Sequence, residues 1–283
     1  MITYKICTND DIENMYEAFS IGFSDYMVKF DITLERFIDL FLRIEGNQLE
    51  YSLLALDNEK PIGLMLGGIK TYDGVKTLRC GTLAIDPDYR KVGVASQLFM
   101  LHKELAIKND CKVLFLEVIK NNDRALNFYL KHDYKIAYDI VYYKNTDLNR
   151  LTNPSLQHLV VKEISIKEAK AYYDAYDKYH INWQNDFDYQ KELLHINYFG
   201  AYINNDLVGV IAVAESGKVF YLHVLNTHRL NGIGRQLLCY AKDYLKLRAF
   251  VISFINNDKL LNFLQKCGFE QFGLSQYEMY RIV

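Results

Sequence analysis

Proline is scarce, with three residues in 283. That excludes rigid proline-rich spacers and proline-rich recognition segments. Tryptophan occurs once, and the five cysteines (Cys7, Cys80, Cys111, Cys239 and Cys267) are odd in number and sit mainly in apolar segments. They read as reduced core residues of a cytoplasmic protein, not as a disulfide framework. No apolar run reaches the roughly 18 residues that a membrane helix needs. Met1–Cys7 alternates like a strand and lacks the regions of a signal peptide. Thirty-three Lys and Arg nearly balance 35 Asp and Glu, for a net charge of −2, so the basic footprint of a nucleic-acid binder is missing. Histidine and cysteine lack metal-ligand spacing, and neither a Gly-x-Ser-x-Gly elbow nor a cysteine-nucleophile context occurs. No metal, nucleic acid or membrane is therefore expected as a partner, and oligomeric state is not readable.

Tyrosine, by contrast, is abundant at 23, and half of the chain is apolar. The length exceeds one ordinary core, which points to two domains. Strands are expected at Ile2–Cys7, Tyr51–Leu56, Ile62–Ile69, Val75–Ile85, Val113–Val118 and Lys135–Tyr143, the last closing the first half. Thr8 and Thr33 cap two early helices, and further helices are expected from Val92 and after Asn122. Asn145–His158 is polar, contains Pro154 and loses periodicity. Three parts follow: residues 1–146, a linker 147–157, and residues 158–283. After the linker the order restarts, with Ser165 capping a helix over Ile166–Tyr179 and strands at Tyr198–Ile203, Leu207–Ala214 and Val219–Leu225. The predicted class is α/β with a mixed sheet.

The two halves are copies. Ala55…Gly63 matches Ala201…Gly209, and Arg90-x-x-Gly93 matches Arg229-x-x-Gly232. Asn121-Asn122-Asp123 and Leu126-Asn127-Phe128 match Asn256-Asn257-Asp258 and Leu261-Asn262-Phe263, 135 residues on. So long a period signifies a duplicated domain. Within the first copy, an apolar strand carries one carboxylate, Glu117, and the helix after it carries a phenol, Tyr129. An acid and a phenol so placed suit proton transfer, although a solvated strand end and a core aromatic would also explain them. Ahead of them lies Arg90-Lys91-Val92-Gly93-Val94-Ala95 at a strand-to-helix junction. The unpaired amides and positive end of a helix start attract phosphate, small residues let it approach, and Arg90 and Lys91 add charge.

This arrangement resembles the GNAT acetyltransferase superfamily, whose [Arg/Gln]-x-x-Gly-x-[Gly/Ala] pattern is met by Arg90, Gly93 and Ala95 and again by Arg229, Gly232 and Gly234. The later Asn-x-x-Ala-(x)n-Tyr pattern is met by Asn122, Ala125 and Tyr129, while Asp133-Tyr134 departs from the usual Gly-Phe. Leu116-Glu117-Val118 with this spacing looks like the branch that acetylates protein N-termini. The resemblance implies two tandem domains and acetyl-CoA as co-substrate. It implies that Leu83, Ala84 and Ile85 present backbone to the pantetheine arm, that Val92–Ser96 (Val92, Gly93, Val94, Ala95, Ser96) cradle the pyrophosphate, and that Asn122 meets the cofactor. It further implies Tyr129 as the acid that protonates the leaving thiolate and Glu117 as the base for the acceptor ammonium.

At Glu117 and Tyr129 the second copy has Ile252 and Leu264, so it is expected to be degenerate and silent. Were chemistry placed there instead, Tyr221, His223, His228 or Tyr240 would have to supply it. Phe23, Asp25 and Tyr26 are candidates for the acceptor site, with core packing the plainer explanation of the aromatics. The expected activity is acetyl transfer to a primary amine, on a small molecule or a peptide N-terminus. The alternative is a non-catalytic acyl-CoA-sensing or partner-binding module.

Overall fold

The computed structural model describes every residue except 155, 157, 177, 178 and 256. Asn256 of the repeated turn, two positions of the expected linker and two of the helix expected to reach Tyr179 therefore lie outside the described residues. Strand β1 (Ile2–Ile6) leads into helix α1 (Ile12–Gly22) through a capping box in which the Thr8 amide and hydroxyl both donate to the Asp11 carboxylate at 2.9 Å. Thr33 caps α2 (Leu34–Phe37), accepting from the Arg36 amide at 3.2 Å, and the helix continues as wider π turns over Ile38–Ile44. Strands β2 (Leu53–Asp57), β3 (Lys60–Tyr72) and β4 (Val75–Ile85) form antiparallel hairpins. Helix α3 (Val94–Lys108), strand β5 (Val113–Ile119), helix α4 (Asp123–Lys131) and strand β6 (Lys135–Asn145) follow.

The order then repeats as β7 (Val160–Ile164), α5 (Ile166–Tyr176), α6 (Phe187–Gln190), β8 (Ile196–Ile203), β9 (Asp206–Ala214), β10 (Lys218–Val224), α7 (Ile233–Leu245), β11 (Phe250–Ile255) and α8 (Asp258–Lys266). A two-residue strand β12 (Glu270–Gln271) and the last strand β13 (Gln276–Ile282) end the chain. Ser165 caps α5 as expected: its hydroxyl accepts from the Glu168 amide at 3.2 Å and donates to the Glu168 carboxylate at 2.8 Å.

Two compact units result. The first comprises Met1–Val118, Asn122–Ala137 and Tyr277–Val283, the second Ile119–Asn121 and Tyr138–Gln276. This differs from a division at residues 147–157. From Tyr138 onward β6 belongs to the second unit, where it pairs antiparallel with β11 from Asn145↔Phe250 to Ile140↔Ile255. The strand that joins the first unit beside β5 is β13. Nor is the expected linker wholly solvent-facing, since Leu148 and Leu151 are buried in the second core. The physical reason is that a sheet edge accepts any strand with suitable alternation, and sequence order does not specify which one.

In the first unit, alternate residues serve two cores. Leu114, Leu116 and Val118 of β5 pack with Leu98 and Phe99 of α3 and Tyr129 of α4. On the other face Leu54, Leu64 and Leu66 pack against Met15 and Phe19 of α1 and against Phe37 and Phe41. Phe19 is the hub there, with ring centroids of Phe23, Phe30, Phe37 and Phe41 at 4.9, 5.5, 5.1 and 4.7 Å. The second unit repeats the plan, with α7 and α8 on one face of its sheet and α5 and α6 on the other.

One core position of the first unit is polar. His102 of α3 is fully buried, and neither ring nitrogen has a hydrogen-bond partner. Burial holds its pKa down at about 3. The folded value lies below the unfolded one, so His102 opposes folding increasingly as pH falls below about 6.5. Between pH 7.5 and 5 the wild type should lose about 2 kcal/mol of stability that His102→Leu retains, because leucine has no proton to bind in the unfolded chain. Urea unfolding of both proteins at the two pH values measures the difference, and equal losses in both would refute it.

Candidate active site

Strands β4 and β5 run parallel and pair only at Thr77↔Val113, Leu78↔Leu114 and Arg79↔Phe115. Beyond Arg79, β4 stays paired with β3 as far as Ile85 but leaves β5. A gap between parallel strands exposes backbone donors and acceptors of the kind that an extended ligand can bind. Leu83, Ala84 and Ile85 lie on this diverged stretch, where sequence reasoning puts the pantetheine contact. Glu117 lies on the diverged stretch of β5.

The loop after β4 enters α3 at Gly93, with φ +97, a left-handed value that favours glycine. A side chain at Gly93 would meet nothing within 4 Å, so the approach to the backbone is open. The first intrahelical bond runs from the Gln97 amide to the Gly93 carbonyl at 3.0 Å, leaving the amides of Val94, Ala95 and Ser96 without a helical acceptor. No acidic side chain occupies this first turn, which suits an anion. Val92 is 65 % exposed beside it, and Lys91 holds φ +66.

Arg90 is built in differently from the expectation of a free phosphate ligand. Its Nε donates to the Ile85 carbonyl at 3.2 Å, and its Nη2 donates to the Gly22 carbonyl at 3.0 Å and to Asp25 Oδ1 at 2.8 Å. Arg90 thus ties the loop to α1. It occupies Asp25 as well, whose carboxyl is held down to about 2 chiefly by the Arg90 hydrogen bond. Asp25, a candidate for attracting an acceptor ammonium, already has a cation. Phe23 packs between Phe19, Tyr26 and Phe30, and Tyr26 stacks on Phe30. Asn122 caps α4 by accepting from the Ala125 amide at 3.2 Å, while its Nδ2 lies 3.5 Å from the Tyr26 hydroxyl.

Tyr129 is 8 % exposed, set against Phe99, Phe128 and Tyr134. Burial first, then the nearby Cys80 and Tyr26 groups, pushes its pKa well above the ordinary phenol value, so it stays protonated. Glu117 sits in a buried ionic chain. Arg79 Nη2 donates to Glu117 Oε2 at 2.8 Å, and Arg79 Nη1 donates to Glu45 Oε2 at 2.5 Å. The Glu117 side chain is 3 % exposed, and Oε1 has no hydrogen-bond partner. Burial pushes its pKa up to about 7; Arg79 opposes this, and the Glu278 and Glu45 carboxylates add to it.

Three participants escape a linear reading: Arg79, Glu45 and Glu278. Arg79 carried a usable signal, as a cation flanked by Leu78 and Cys80 in an apolar strand. Glu278 carried one too, between Tyr277 and Met279 at the far end of the chain.

The second unit keeps the scaffold. Among the described residues its strands β10 and β11 pair at Lys218↔Val251 and Val219↔Ile252. Gly232 has φ +82, Leu230 matches Lys91 at φ +66, and the Gln236 amide donates to the Gly232 carbonyl at 3.0 Å. Arg229 Nε donates to the Val224 carbonyl at 2.9 Å, as Arg90 does five residues back in its own copy. Asn257 caps α8 by accepting from the Leu260 amide at 3.1 Å. Asp133 and Gly268 both take left-handed φ, +62 and +82, so the Asp133-Tyr134 departure preserves the turn that Gly268-Phe269 makes. A cavity of about 920 Å³ lies in this unit, lined by Arg229, Gly232, Gly234, Ile252, Asn257 and the neighbouring side chains. Tyr221, His223 and His228 line it, whereas Tyr240 packs on Phe199 and Tyr244. His223 Nδ1 is 3.0 Å from the Tyr172 hydroxyl. Ile252 and Leu264 are buried at 3 % and 0 % exposure where the first copy has Glu117 and Tyr129.

Among the described residues no cluster of three His, Cys, Asp or Glu could hold a metal, and no helix is long and apolar enough to cross a membrane. The acetyltransferase (GNAT) family matches this chain twice, over residues 12–134 and 160–269. Among curated protein sequences none matches. Similar solved structures include a GCN5-related glucosamine N-acetyltransferase region of a fungal multi-domain GH3 beta-N-acetylglucosaminidase, with TM-score 0.76 and 15 % identity, covering 99 % of this chain and 38 % of that one. The present chain thus spans well under half the length of that protein. A tandem GNAT protein from the clavulanic acid biosynthesis pathway aligns at TM-score 0.70 and 13 % identity over 100 % of this chain and 98 % of its own. A GCN5-related N-acetyltransferase from Sphaerobacter thermophilus aligns at 0.68 and 12 %, over 99 % and 95 %. With more than half its length matched in two successive segments, the chain belongs to the acetyltransferase (GNAT) family and carries the fold in tandem.

Proposed function

We propose that the chain is an acetyl-CoA-dependent N-acetyltransferase whose chemistry resides in the first unit and whose acceptor is a primary amine, on a small molecule or a peptide N-terminus. The observation that carries this reading is Glu117: a sealed carboxylate on the diverged strand, with one oxygen unpartnered and a proton affinity matched to neutral pH. A base must be unprotonated yet avid enough to take a proton from an ammonium, and a pKa near 7 meets both demands. The resemblance of Leu116–Val118 and its spacing to the branch that acetylates protein N-termini makes a peptide α-amine the first acceptor to test.

In this reading acetyl-CoA lies along the separated β4 edge, its pyrophosphate on the amides of Val94–Ser96 and its thioester at the gap. Glu117 takes a proton from the acceptor ammonium. The free amine nitrogen attacks the thioester carbonyl, forming a C–N bond; collapse of the tetrahedral intermediate breaks the C–S bond. Tyr129 donates its phenolic proton to the departing thiolate and is restored by the second proton that the acylated nitrogen sheds, while Glu117 returns its proton to solvent. The raised pKa keeps the phenol protonated at neutral pH, so its proton is on hand when negative charge develops on sulfur.

The second unit supports another role. Its cavity and phosphate-type loop fit ligand binding, while Ile252 and Leu264 offer no proton donor or acceptor. Acyl-CoA sensing without turnover is therefore the competing reading. Tight acetyl-CoA binding with no CoA release across a panel of amines and peptides would favour it over catalysis.

Two substitutions test the chemistry. Tyr129→Phe should lower turnover by roughly 10²-fold with little change in acetyl-CoA affinity, the usual scale of a general-acid contribution; wild-type turnover would remove Tyr129 from the mechanism. For Glu117, activity requires the ionised form, so kcat/KM should fall as pH drops through about 7. Glu117→Gln should abolish that limb and leave low, flatter activity. A wild-type pH profile in this variant would rule out Glu117 as the base.

A further inference from the structure

Glu278 of β13 is fully buried, and carboxylates are rarely sealed in a core without partners or a task. Its Oε1 lies 3.5 Å from the Tyr72 hydroxyl of β3, and the Tyr280 hydroxyl donates to its Oε2 at 3.1 Å. Both phenol rings rest on one neighbour: Phe115 of β5 lies 5.3 Å from Tyr72 and 5.0 Å from Tyr280. Phe115 and Glu117 are two residues apart on one strand, so they project from the same face of the sheet. Met279, between Glu278 and Tyr280, packs in the opposite core with Leu114 and Leu116. With β13 next to β5 in the sheet, Glu278 and Glu117 therefore occupy one face of neighbouring strands.

We propose that Glu278 is a positioning residue for Glu117: the last strand of the chain brings a second buried carboxylate to the face of the sheet that holds the base, and this carboxylate strengthens it. The proposal rests on the reading of Glu117 as the base. Three charged groups act on Glu117, from three elements: Arg79 of β4 directly, by a 2.8 Å ion pair; Glu45, which shares Arg79; and Glu278 of β13. Arg79 fixes the carboxylate and favours its ionised form, whereas the two acids oppose ionisation. Burial strengthens the base most, Arg79 weakens it, and the two acids add to the strengthening. The seven residues Tyr277–Val283, distant in sequence from everything else in the first unit, are thus part of its chemistry.

Glu278→Gln tests this, because the amide keeps an oxygen for the phenols while removing the charge. The full chain is labelled with carboxyl-¹³C glutamate and titrated by NMR, the Glu117 resonance being the one missing in Glu117→Gln. The Glu117 midpoint should fall by about one pH unit, the order expected for loss of one buried like charge nearby. In kinetics, the acidic limb of kcat/KM should move down equally while KM for acetyl-CoA holds. An unmoved or raised midpoint overturns the proposal. A midpoint that falls while the kinetic limb stays put upholds the coupling and instead rejects Glu117 as the base. Should Glu278→Gln fold poorly, Glu278→Leu removes the same charge with an apolar side chain, and the same shift is required of it.

Discussion

A parallel strand pair that holds together for only three residues governs the first unit. Had β4 and β5 continued past Arg79↔Phe115, their backbone groups would be consumed in the ladder and Glu117 would be an ordinary buried acid. Divergence leaves β4 anchored by β3 on one side, with its other edge unpaired toward β5. A strand with a fixed and an open edge is a template for an extended ligand. The loop after β4 then needs only to present unpaired helix amides at the mouth, and Gly93 provides that turn. Arg90 keeps the geometry fixed by pinning the loop to Ile85, Gly22 and Asp25. Its hydrogen bonds hold the loop's shape, and the amides of Val94–Ser96 remain without a helical acceptor.

The first unit also buries several charged groups. Removing carboxylates and a guanidinium from water costs several kcal/mol per ion, which attraction offsets only where geometry is good. Arg79 meets two carboxylates at 2.5 and 2.8 Å, so the cost is met locally for Glu45 and for one Glu117 oxygen. The other Glu117 oxygen is left without a partner. A sealed, half-satisfied carboxylate is poor design for stability and good design for accepting a proton. The aromatic cluster around Phe19 supplies the apolar burial that lets the first unit tolerate it.

Much of this was legible in the sequence wherever a local rule applied. The Thr8 and Thr33 caps, the glycine loops, the turn at Asp133 and the α4–α8 correspondence each depend on residues within a few positions of one another. The Glu117 and Tyr129 positions became legible through the internal copy, which has aliphatics in their places. What stayed hidden depends on partners far along the chain. Nothing near Arg90 announces Asp25, nothing near Glu117 announces Arg79 or Glu278, and nothing in β6 or β13 states which sheet each joins. Polar groups acquire partners when elements meet, and a strand edge is indifferent to the origin of the strand that fills it.

The two copies separate what the fold requires from what the chemistry requires. Backbone conformation persists even where residues differ: Lys91 and Leu230 share φ +66, a left-handed value that costs a side chain roughly 1–2 kcal/mol. Asp133 and Gly268 share another such position, although one is a charged residue and the other has no side chain. Asn122 and Asn257 cap their helices in the same way. These positions give the loop, the turn and the helix start the same backbone form in both copies. At Glu117/Ile252 and Tyr129/Leu264 the side chains diverge completely while the strand and helix beneath them do not. Burying an isoleucine and a leucine there is less costly than burying an acid and a phenol. The second copy also has the more regular glycine patterns, Gly232-x-Gly234 and Gly268-Phe269, and keeps the framework without the costly polar groups. The costly groups in the first copy are therefore the ones that mark where chemistry is expected.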